Sequence, residues 1–277
     1  MYCEYYSLKE DPFNVTSDPS FFYSSQKHKE ALSHLFYGVT QRKGIIAITG
    51  EIGTGKTILC RFFLKELNKN NVKTAFLLHP CFLGSQLLEA IVRDFGIDLT
   101  TRSKFACMSA LNKLLLNQSE QGNNVVLIID EAQNLTISQL EQIRLLSNLE
   151  TQKSKLIQIV LVGQPELNHK LGLYSIRQLQ QRITIRYHIT SLNKDETVEY
   201  INHRLHTAGG NQHVKFTDQA LQVIFDLSKG NPRLINIICD RALLTGFFKE
   251  IDTINEDIIN HCTQELNSCT ENLLEKK

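Results

Sequence analysis

The chain has 277 residues, of which 42% are hydrophobic and 21% charged, a composition that excludes global disorder and is typical of a folded chain with a buried core. At about 150 residues per domain, this length predicts one large domain or two modest ones. Thirty Lys and Arg residues face 29 Asp and Glu residues, so the formal charge of +1 provides no overall field that would draw the chain to DNA or anionic lipid.

The first 40 residues are rich in aromatic and turn-forming residues. Pro12 and Pro19 each follow an aspartate, and the residue before a proline is biased away from helix. We therefore predict an extended arm that closes onto a core. A helix with apolar residues near 3.6-residue spacing is predicted after it, over His28–Gln41.

Between Gly44 and Ile189, short apolar runs alternate with amphipathic stretches. The predicted strands are Ile45–Thr49, Thr74–Leu78, Val125–Asp130, Ile157–Gly163 and Ile183–Ile189. The predicted helices are Thr57–Leu67, Leu83–Phe95, Met108–Gln121 and Ser138–Leu149. Because continuous apolar strands that are each followed by a helix favour a parallel sheet covered on both faces, we predict a three-layer α/β domain with a five-stranded parallel sheet.

After residue 190 the strand signal fades and helical patterns replace it. A predicted helix over Lys194–Ala208 stops at two glycines, Thr217 caps a second helix, and Pro232 begins a third. We therefore predict two domains. They are an arm and α/β core over residues 1–190 and a small all-helical lid over residues 191–277.

The stretch between the first predicted strand and its helix reads Gly-Glu-Ile-Gly-Thr-Gly-Lys-Thr over residues 50–57, which fits the phosphate-loop pattern G-x-x-x-x-G-K-[ST]. The glycines let successive backbone N–H groups point inward and form an anion nest at a helix N-terminus. Lys56 can then reach the β- and γ-phosphates of ATP, and the Thr57 hydroxyl can ligate Mg²⁺. The strand before the loop and the helix after it argue against a glycine-rich turn with a solvated lysine.

Asp130 and Glu131 follow an apolar strand, at the edge of a parallel sheet where ligands bind. We expect Asp130 to hold Mg²⁺ and Glu131 to polarise the attacking water. An acid after an apolar strand also suits a helix N-cap. Together with the phosphate loop, however, the two acids indicate ATP hydrolysis rather than binding alone.

Three later positions suit supporting roles. Gln164 follows the fourth predicted strand, where its side chain would lie beside the γ-phosphate and help place water; a turn residue before Pro165 explains it equally well. Arg182 precedes the last predicted strand and can project into a neighbouring subunit's nucleotide site to stabilise transition-state charge. Arg177 and Arg186 compete for that role, and a solvated surface arginine is the alternative for all three.

Arg233 lies in the first turn of a predicted lid helix, where a cation opposes the helix macrodipole and an anion would compensate it. We expect that anion to be the γ-phosphate, with a nearby Asp or Glu as the alternative. The residues predicted to contact the nucleotide are Gly50, Glu51, Ile52, Gly53, Thr54, Gly55, Lys56, Thr57, Ile58, Asp130 and Arg233. The predicted catalytic set is Lys56, Glu131, Gln164, Arg182 and Arg233, and the predicted metal ligands are Thr57 and Asp130.

With these motifs in place, the chain resembles the AAA+ ATPases, and among them the ExeA/GspA-type ATPases of type II secretion and pilus biogenesis. The resemblance covers residues 5–250 and rests on strings more specific than the phosphate loop. They include Asp-Glu-Ala-Gln at 130–133, Gly-Gln-Pro-Glu-Leu at 163–167, Asn-Pro-Arg-Leu-Ile-Asn at 231–236 and Cys-Asp-Arg-Ala-Leu-Leu at 239–244.

The resemblance implies a family role for each candidate. These roles are Walker A for Lys56 and Thr57, Walker B for Asp130 and Glu131, sensor 1 for Gln164, a trans-acting finger for Arg182 and sensor 2 for Arg233. A glutamine at sensor 1 departs from the Asn, Ser or Thr common in the wider superfamily. The resemblance also implies self-association into a ring, and an inner-membrane partner with which such ATPases help assemble the outer-membrane secretin.

Location is predicted from several weak signals. No apolar run approaches the ~20 residues that span a bilayer, and the N-terminus lacks the basic-then-apolar pattern of a secretion signal. Seven cysteines without a Cys-x-x-Cys pair suit reduced thiols. We expect a soluble, cytoplasmic protein that reaches the inner membrane through a missing segment or a partner, either as the ATPase portion of a longer protein or as a short ATPase-only relative.

A Mg²⁺-dependent ATPase that acts on a secretion or pilus assembly is thus the first hypothesis for function. A transposition helper or another DNA-linked AAA+ regulator is the alternative, because such proteins share this core. The balanced charge and the lack of a helix-turn-helix signal count against it. A passive nucleotide-dependent scaffold without turnover is the third hypothesis.

Overall fold

Two compact units make up the chain in the computed structural model, which describes residues 1–78, 80, 86–99, 101, 103–152, 154–210 and 214–264. The sheet unit comprises Gln26–Ile52 and Lys56–Thr190. The helical unit comprises Met1–Ser25, Gly53–Gly55 and the chain from Ser191 onward. The N-terminal arm, which the sequence analysis grouped with the α/β core, therefore belongs to the helical unit.

The strands, in chain order, are Ile45–Gly50 (β1), Lys73–Leu77 (β2), Val125–Ile129 (β3), Gln158–Gly163 (β4), Ile183–Ile189 (β5), Lys215–Phe216 (β6) and Thr253–Ile254 (β7). The α-helices are Tyr2–Tyr5 (α1), Gln26–Thr40 (α2), Lys56–Lys69 (α3), Gln86–Asp94 (α4), Lys104–Glu120 (α5), Ile137–Leu146 (α6), Glu166–Leu171 (α7), Arg177–Gln180 (α8), Lys194–Thr207 (α9), Asp218–Ser228 (α10) and Pro232–Phe248 (α11). Short 3₁₀ turns lie at Pro19–Phe21, Ala132–Asn134 and Tyr174–Ile176, and a further helical segment covers residues 256–264. Within the described residues, no helix combines the length and the apolar character needed to cross a membrane.

The sheet unit is built on one five-stranded parallel sheet with the order β2-β3-β4-β1-β5. β1, β3 and β4 are buried along their whole length, as expected for central strands of a sheet covered on both faces. β5 lies at the edge of the sheet, and most of its residues alternate between partly buried and exposed. The predicted α/β fold and its five strands are confirmed, and each strand begins and ends within one residue of its prediction.

The predicted helices of the sheet unit recur with shifted ends. α5 begins at Lys104 instead of Met108, because the Ser103 side chain caps it by accepting the N–H of Ala106 at 3.1 Å. The first residues of the predicted helix Leu83–Phe95 lie outside the described residues. α7 and α8 were not predicted, because helices of six and four residues are too short to display a 3.6-residue pattern.

The helical unit carries the capping chemistry that its sequence predicts. Asn193 caps α9 and forms a capping box with Glu196, the Thr217 hydroxyl caps α10, and Asn231 caps α11 just before Pro232. The unit is not purely helical, since β6 and β7 form a short parallel pair. Strands of two residues produce no alternating pattern, so the sequence could not reveal them.

The arm is anchored by its aromatic side chains. Tyr6, Phe13 and Phe21 are buried in one hydrophobic cluster with apolar residues of α9, α10 and α11. The Tyr6 hydroxyl lies 3.3 Å from the Leu243 carbonyl oxygen and 2.9 Å from that of Ile251, so it can donate to either one. The predicted arm therefore closes onto the hydrophobic core of the helical unit.

Candidate nucleotide-binding site

The loop between β1 and α3 follows the carboxyl end of a central strand. Gly53 and Gly55 have φ angles of +82° and +90°, in the left-handed region that glycine adopts without steric cost. The free N–H groups at the start of α3 carry partial positive charge, which favours an anion in front of the helix. Of the other residues in the motif, Glu51 and Ile52 are exposed, Thr54 is buried and Ile58 is partly buried.

Lys56, the first residue of α3, folds back into this loop. Its side chain is buried, and Nζ donates to the carbonyl oxygens of Gly50 and Glu51, each at 2.7 Å. Burial lowers the pKa of Lys56, and the carboxylates of Glu131 and Asp130 oppose that shift. Carbonyl dipoles thus hold a buried cation in place, and phosphate oxygens can replace them.

Thr57 and Asp130 bring two oxygen atoms together beside the loop. Thr57 Oγ1 donates to Asp130 Oδ2 at 2.6 Å, and the fully buried Asp130 also accepts the N–H of Glu131 at 2.9 Å. Burial raises the pKa of Asp130, and these two hydrogen bonds oppose the shift. Mg²⁺ prefers oxygen ligands and is commonly bound through one or two carboxylates together with substrate phosphates, so the pair fits this metal.

Glu131 lies in a turn directly after β3, with a left-handed backbone conformation (φ 53°, ψ 37°) that is uncommon for a residue with a side chain. Its Oε2 accepts hydrogen bonds from two side-chain amides, Gln164 Nε2 at 3.1 Å and Gln133 Nε2. Gln164 reaches Glu131 because β3 and β4 are neighbours, so the residues after their carboxyl ends meet. The structure therefore brings Gln164 into contact with the predicted base.

Two further residues near Glu131, Gln133 and Lys170, had no predicted role. Gln133 Oε1 accepts the main-chain N–H of Gln164 at 3.0 Å. Lys170 Nζ donates to the carbonyl oxygens of Gln133 and Leu135, the latter at 2.7 Å. Gln133 was visible only as the last letter of the Asp-Glu-Ala-Gln string, and no local pattern links it to a lysine that lies 37 residues later.

Arg182 lies at the amino ends of the strands, whereas the phosphate loop lies at their carboxyl ends. It precedes Ile183, which pairs with Ile45 at the start of the parallel strand β1, whereas the loop follows the end of β1. The pKa of Glu150 is lowered chiefly by the hydrogen bond from Lys155 and to a smaller extent by the charge of Arg182. The structure thus places Arg182 away from the loop of its own chain.

The two competing arginines lie on either side of Arg182. The guanidinium carbon of Arg177 lies 4.0 Å from the ring centroid of Tyr174, so this side chain stacks on an exposed aromatic residue. Arg186 is exposed on β5, at the position that pairs with Ala47 of β1. The choice among the three therefore stays a prediction.

Within the helical unit, α11 begins beside Gly53. The side-chain oxygen of Asn231 accepts the N–H groups of Arg233 at 3.0 Å and Leu234 at 3.4 Å. A Cβ added to Gly53 would lie 2.4 Å from Asn231 Oδ1 and 2.9 Å from the Cβ of Arg233, so the space admits only glycine. The exposed side chain of Arg233 therefore starts next to a residue of the phosphate loop, and its contact with a γ-phosphate stays a prediction.

Comparison with known proteins identifies the family. Residues 39–171 match the family model described as an AAA domain. General secretion pathway protein A of Aeromonas hydrophila is 42% identical over 248 residues, which is 89% of this chain and 45% of that protein. The chain belongs to the AAA+ proteins of the ExeA/GspA type. This AAA+ chain spans under half of the length of that relative.

Solved structures show the same architecture. The ORC2 protein of Aeropyrum pernix matches with a TM-score of 0.67 and 19% identity, covering 93% of this chain and 72% of that one. The RuvB Holliday junction branch migration motor of Thermotoga maritima matches with a TM-score of 0.61 and 19% identity, covering 88% and 70%. At such identities the likeness shows the fold alone, and it confirms the predicted AAA+ fold.

Proposed function

We propose that this AAA+ chain binds ATP with Mg²⁺ and hydrolyses the bond between its β- and γ-phosphates, which releases ADP and phosphate. The observation that carries the proposal is the convergence at the carboxyl ends of β1, β3 and β4. There the loop with buried Lys56, the Thr57–Asp130 oxygen pair and the amide-bound Glu131 come together. The match to the AAA domain model supports ATP, as does the likeness to ORC2, which was solved as ADPNP-ADP complexes.

Lys56 and the loop bind the phosphates in this proposal. Lys56 Nζ exchanges the carbonyl oxygens of Gly50 and Glu51 for phosphate oxygens, and the N-terminus of α3 adds its partial positive charge. Because burial disfavours the charged form of Lys56, an adjacent anion stabilises the group that the fold has desolvated. The charge of Lys56 therefore contributes more to binding than that of an exposed lysine would.

Thr57 and Asp130 are the side chains that would hold Mg²⁺, directly or through water. When bound, the ion would supply positive charge that offsets the negative charge of the phosphates during transfer. The Thr57 hydroxyl and the Asp130 carboxylate would supply oxygen ligands to the ion, and Lys56 lies close enough to Asp130 to favour its charged form.

Glu131 takes the proton of the attacking water. Its Oε2 already accepts two amide N–H groups, which leaves Oε1 as the oxygen that receives the proton. A positioned general base of this kind contributes about 10²- to 10⁴-fold to the rate. Gln164, whose amide contacts the same carboxylate, helps orient both the base and the water.

Arg182 completes the site of a second copy in this proposal. The support is its position at the edge of the sheet opposite to the loop of its own chain, together with the AAA+ fold. A guanidinium group that contacts the γ-phosphate in trans stabilises transition-state charge and makes hydrolysis depend on self-association. Arg233, beside Gly53, would contact the γ-phosphate from within the same chain.

We further infer a role in the assembly of a secretion or pilus system, where the chain acts as a cytoplasmic ATPase at the inner membrane and helps secretin assembly through a membrane partner. The support is the 42% identity to General secretion pathway protein A. Purification of the chain with associated membrane proteins, in the presence of ATP and the Glu131→Gln change, tests this role. Recovery without a membrane protein under those conditions would contradict it.

The first experiment measures phosphate release and nucleotide affinity for the wild type and Lys56→Ala, with Mg²⁺ and with excess chelator. We expect turnover that requires Mg²⁺, and nucleotide binding that weakens at least about tenfold in Lys56→Ala, since a buried phosphate contact is lost. Lys65→Ala, which alters an exposed lysine on the same helix, is the matched control. Binding without turnover would favour a scaffold, and salt-sensitive stimulation by duplex DNA would favour the DNA-linked alternative.

A further inference from the structure

We propose that Gln133 is a positioning residue that holds the general base Glu131 in its working orientation; this inference rests on the proposed ATP hydrolysis. Gln133 lies two residues after Glu131, in the 3₁₀ turn Ala132–Asn134. It acts through Glu131 and does not itself contact the phosphates. Its side chain links the ends of two neighbouring strands, β3 and β4.

The hydrogen bonds of Gln133 permit only one orientation of its amide. The main-chain N–H of Gln164 can only donate, and it donates to Gln133 Oε1 at 3.0 Å. The other end of the amide is therefore Nε2, which donates to Glu131 Oε2. In a flipped amide, the NH2 group of Gln133 would face the N–H of Gln164, and its oxygen would face Glu131 Oε2. Both contacts would then be repulsive.

Lys170, a residue of α7, fixes the main chain around Gln133. Lys170 Nζ donates to the carbonyl oxygens of Gln133, within the 3₁₀ turn, and of Leu135, the residue directly after it. A lysine ammonium that binds two carbonyl oxygens forms charge-assisted hydrogen bonds, which are about twice as strong as neutral ones. The position of Gln133 therefore does not depend on Glu131 alone.

The space for this side chain exists because residue 163 is a glycine. A Cβ on Gly163 would lie 2.6 Å from Gln133 Oε1 and 3.1 Å from Leu167 Cδ2. Gly163 does not have a positive φ, so its backbone conformation does not require glycine. The absence of a Cβ at the end of β4 thus serves the close approach of the Gln133 amide.

The consequence is a carboxylate oriented by two donors on the same oxygen. Gln133 and Gln164 both bind Oε2 of Glu131, so rotation of the carboxylate is restricted and Oε1 keeps a defined direction. Among the described residues, loss of Gln133 would leave the Gln164 amide as the donor to Glu131, and one hydrogen bond leaves the carboxylate free to rotate. Because general-base catalysis depends on the placement of the accepting oxygen, the rate falls while nucleotide binding does not.

The test compares Gln133→Leu and Gln133→Glu with the wild type. Gln133→Glu is almost isosteric and keeps the acceptor for the Gln164 N–H, but it replaces the donor to Glu131 with a carboxylate oxygen that repels Oε2. Steady-state hydrolysis, affinity for a non-hydrolysable ATP analogue and thermal unfolding are measured for each protein. We expect kcat to fall about 10- to 100-fold in both variants, with KM and analogue affinity within about threefold of wild type; thermal unfolding shows that each variant is folded at the assay temperature. The control Gln41→Leu changes an exposed glutamine and should match the wild type.

Several outcomes would overturn the proposal. An unchanged kcat in folded Gln133→Glu would show that the Gln133 amide does not orient the base. An increased kcat would show that the amide keeps Glu131 out of its working position. A loss expressed in KM with kcat preserved would assign Gln133 to binding. If Gln133→Leu fails to fold, Gln133→Glu decides alone. The proposed function fails separately, and this inference with it, if the wild type hydrolyses no ATP or Glu131→Gln turns over normally.

Discussion

Three ionisable side chains, Lys56, Asp130 and Glu131, lie around the phosphate loop, and the fold opposes the charged state of two of them. Burial lowers the pKa of Lys56 and raises the pKa of Asp130. Each shift is partly offset by opposite charges or hydrogen bonds nearby. Perturbed pKa values in one cluster are typical of functional sites, because charges that cost stability in the free protein are stabilised when the ligand binds.

The base assignment is tested by Glu131→Gln. The change keeps the shape of the side chain and removes its ability to accept a proton, so we expect turnover to fall at least about 100-fold while ATP binding persists. Phosphate release and analogue affinity measure the two effects separately. Glu141→Gln, on α6 and paired with Arg144, is the matched control. Normal turnover of Glu131→Gln would remove Glu131 from the mechanism.

Asp130→Asn tests whether the buried carboxylate costs stability. The pKa of Asp130 is raised in the folded state. Its ionisation therefore lowers the free energy of unfolding as pH rises from the pKa of the unfolded state to that of the folded state. Above the folded-state pKa, this loss of stability is complete. Asn keeps an acceptor for the N–H of Glu131, can donate its Nδ2–H to the Thr57 hydroxyl oxygen, and removes this charge. At pH 7 without Mg²⁺ we expect the variant to be as stable as the wild type or more stable, because the cost of burying the charge is removed.

The same variant should lose Mg²⁺-dependent turnover. Denaturant unfolding at pH 7 and at pH 3 measures the stability difference, which should shrink at the lower pH because Asp130 is then protonated in the folded protein. A marked loss of stability at pH 7 would show that the hydrogen bonds from Thr57 and the Glu131 N–H outweigh the cost of burial.

At the scale of elements, the site is made by strand ends and by the short turns that follow them. β3 and β4 are adjacent, and β1 lies beside β4, so the residues that follow these three strands meet at one edge of the sheet. The last residue of β4, Gly163, approaches Gln133 so closely that a side chain cannot be added without displacement. The end of one strand therefore shapes the turn that follows another.

Gly163→Ala tests this close approach. The added Cβ would lie 2.6 Å from Gln133 Oε1, so we expect kcat to fall about tenfold or more as the amide is displaced. Analogue affinity should stay near the wild-type value. Gly172→Ala is the matched control, because its Cβ would come no nearer than 3.4 Å to another atom. Equal turnover in the two variants would contradict the steric argument.

At the scale of the whole molecule, the question is whether one chain contains a complete site. Arg182 lies at the amino ends of the strands, and the phosphate loop follows the carboxyl end of β1. Arg177 stacks on Tyr174 at 4.0 Å, and Arg186 lies exposed on the edge strand. If Arg182 contacts a nucleotide from that end of the strands, the nucleotide belongs to a second copy.

Shared sites predict turnover per chain that rises with protein concentration and is lost in Arg182→Ala. Mixing Arg182→Ala with Glu131→Gln should restore part of the activity, since the first supplies an intact base and the second an intact arginine at the same interface. The measurement is phosphate release across a dilution series of each variant and of the mixture. Arg177→Ala and Arg186→Ala serve as comparisons. Concentration-independent turnover that survives in Arg182→Ala would exclude a role in trans.

Much of the fold could be predicted because its signals are local. The buried strands appear as continuous apolar runs, and the phosphate loop appears as glycines and Lys56 between a strand and a helix. The cap of α10 at Thr217 depends on a hydrogen bond to a residue three positions later. The short helices α7 and α8 and the pair β6–β7 escaped prediction, because elements of two to six residues carry too little periodic pattern.

The sequence by itself determined the parallel α/β fold, the loop with Lys56 and Thr57, and the acids that end β3, since each is written in a contiguous stretch. Only the tertiary structure decided that the Tyr6 hydroxyl of the arm bonds to Ile251, 245 residues away, or that Gln133 and Gln164 bind one oxygen of Glu131. These contacts depend on strand order and on packing between distant segments. The physical reason is that a hydrogen bond needs only proximity in space, which a local pattern does not record.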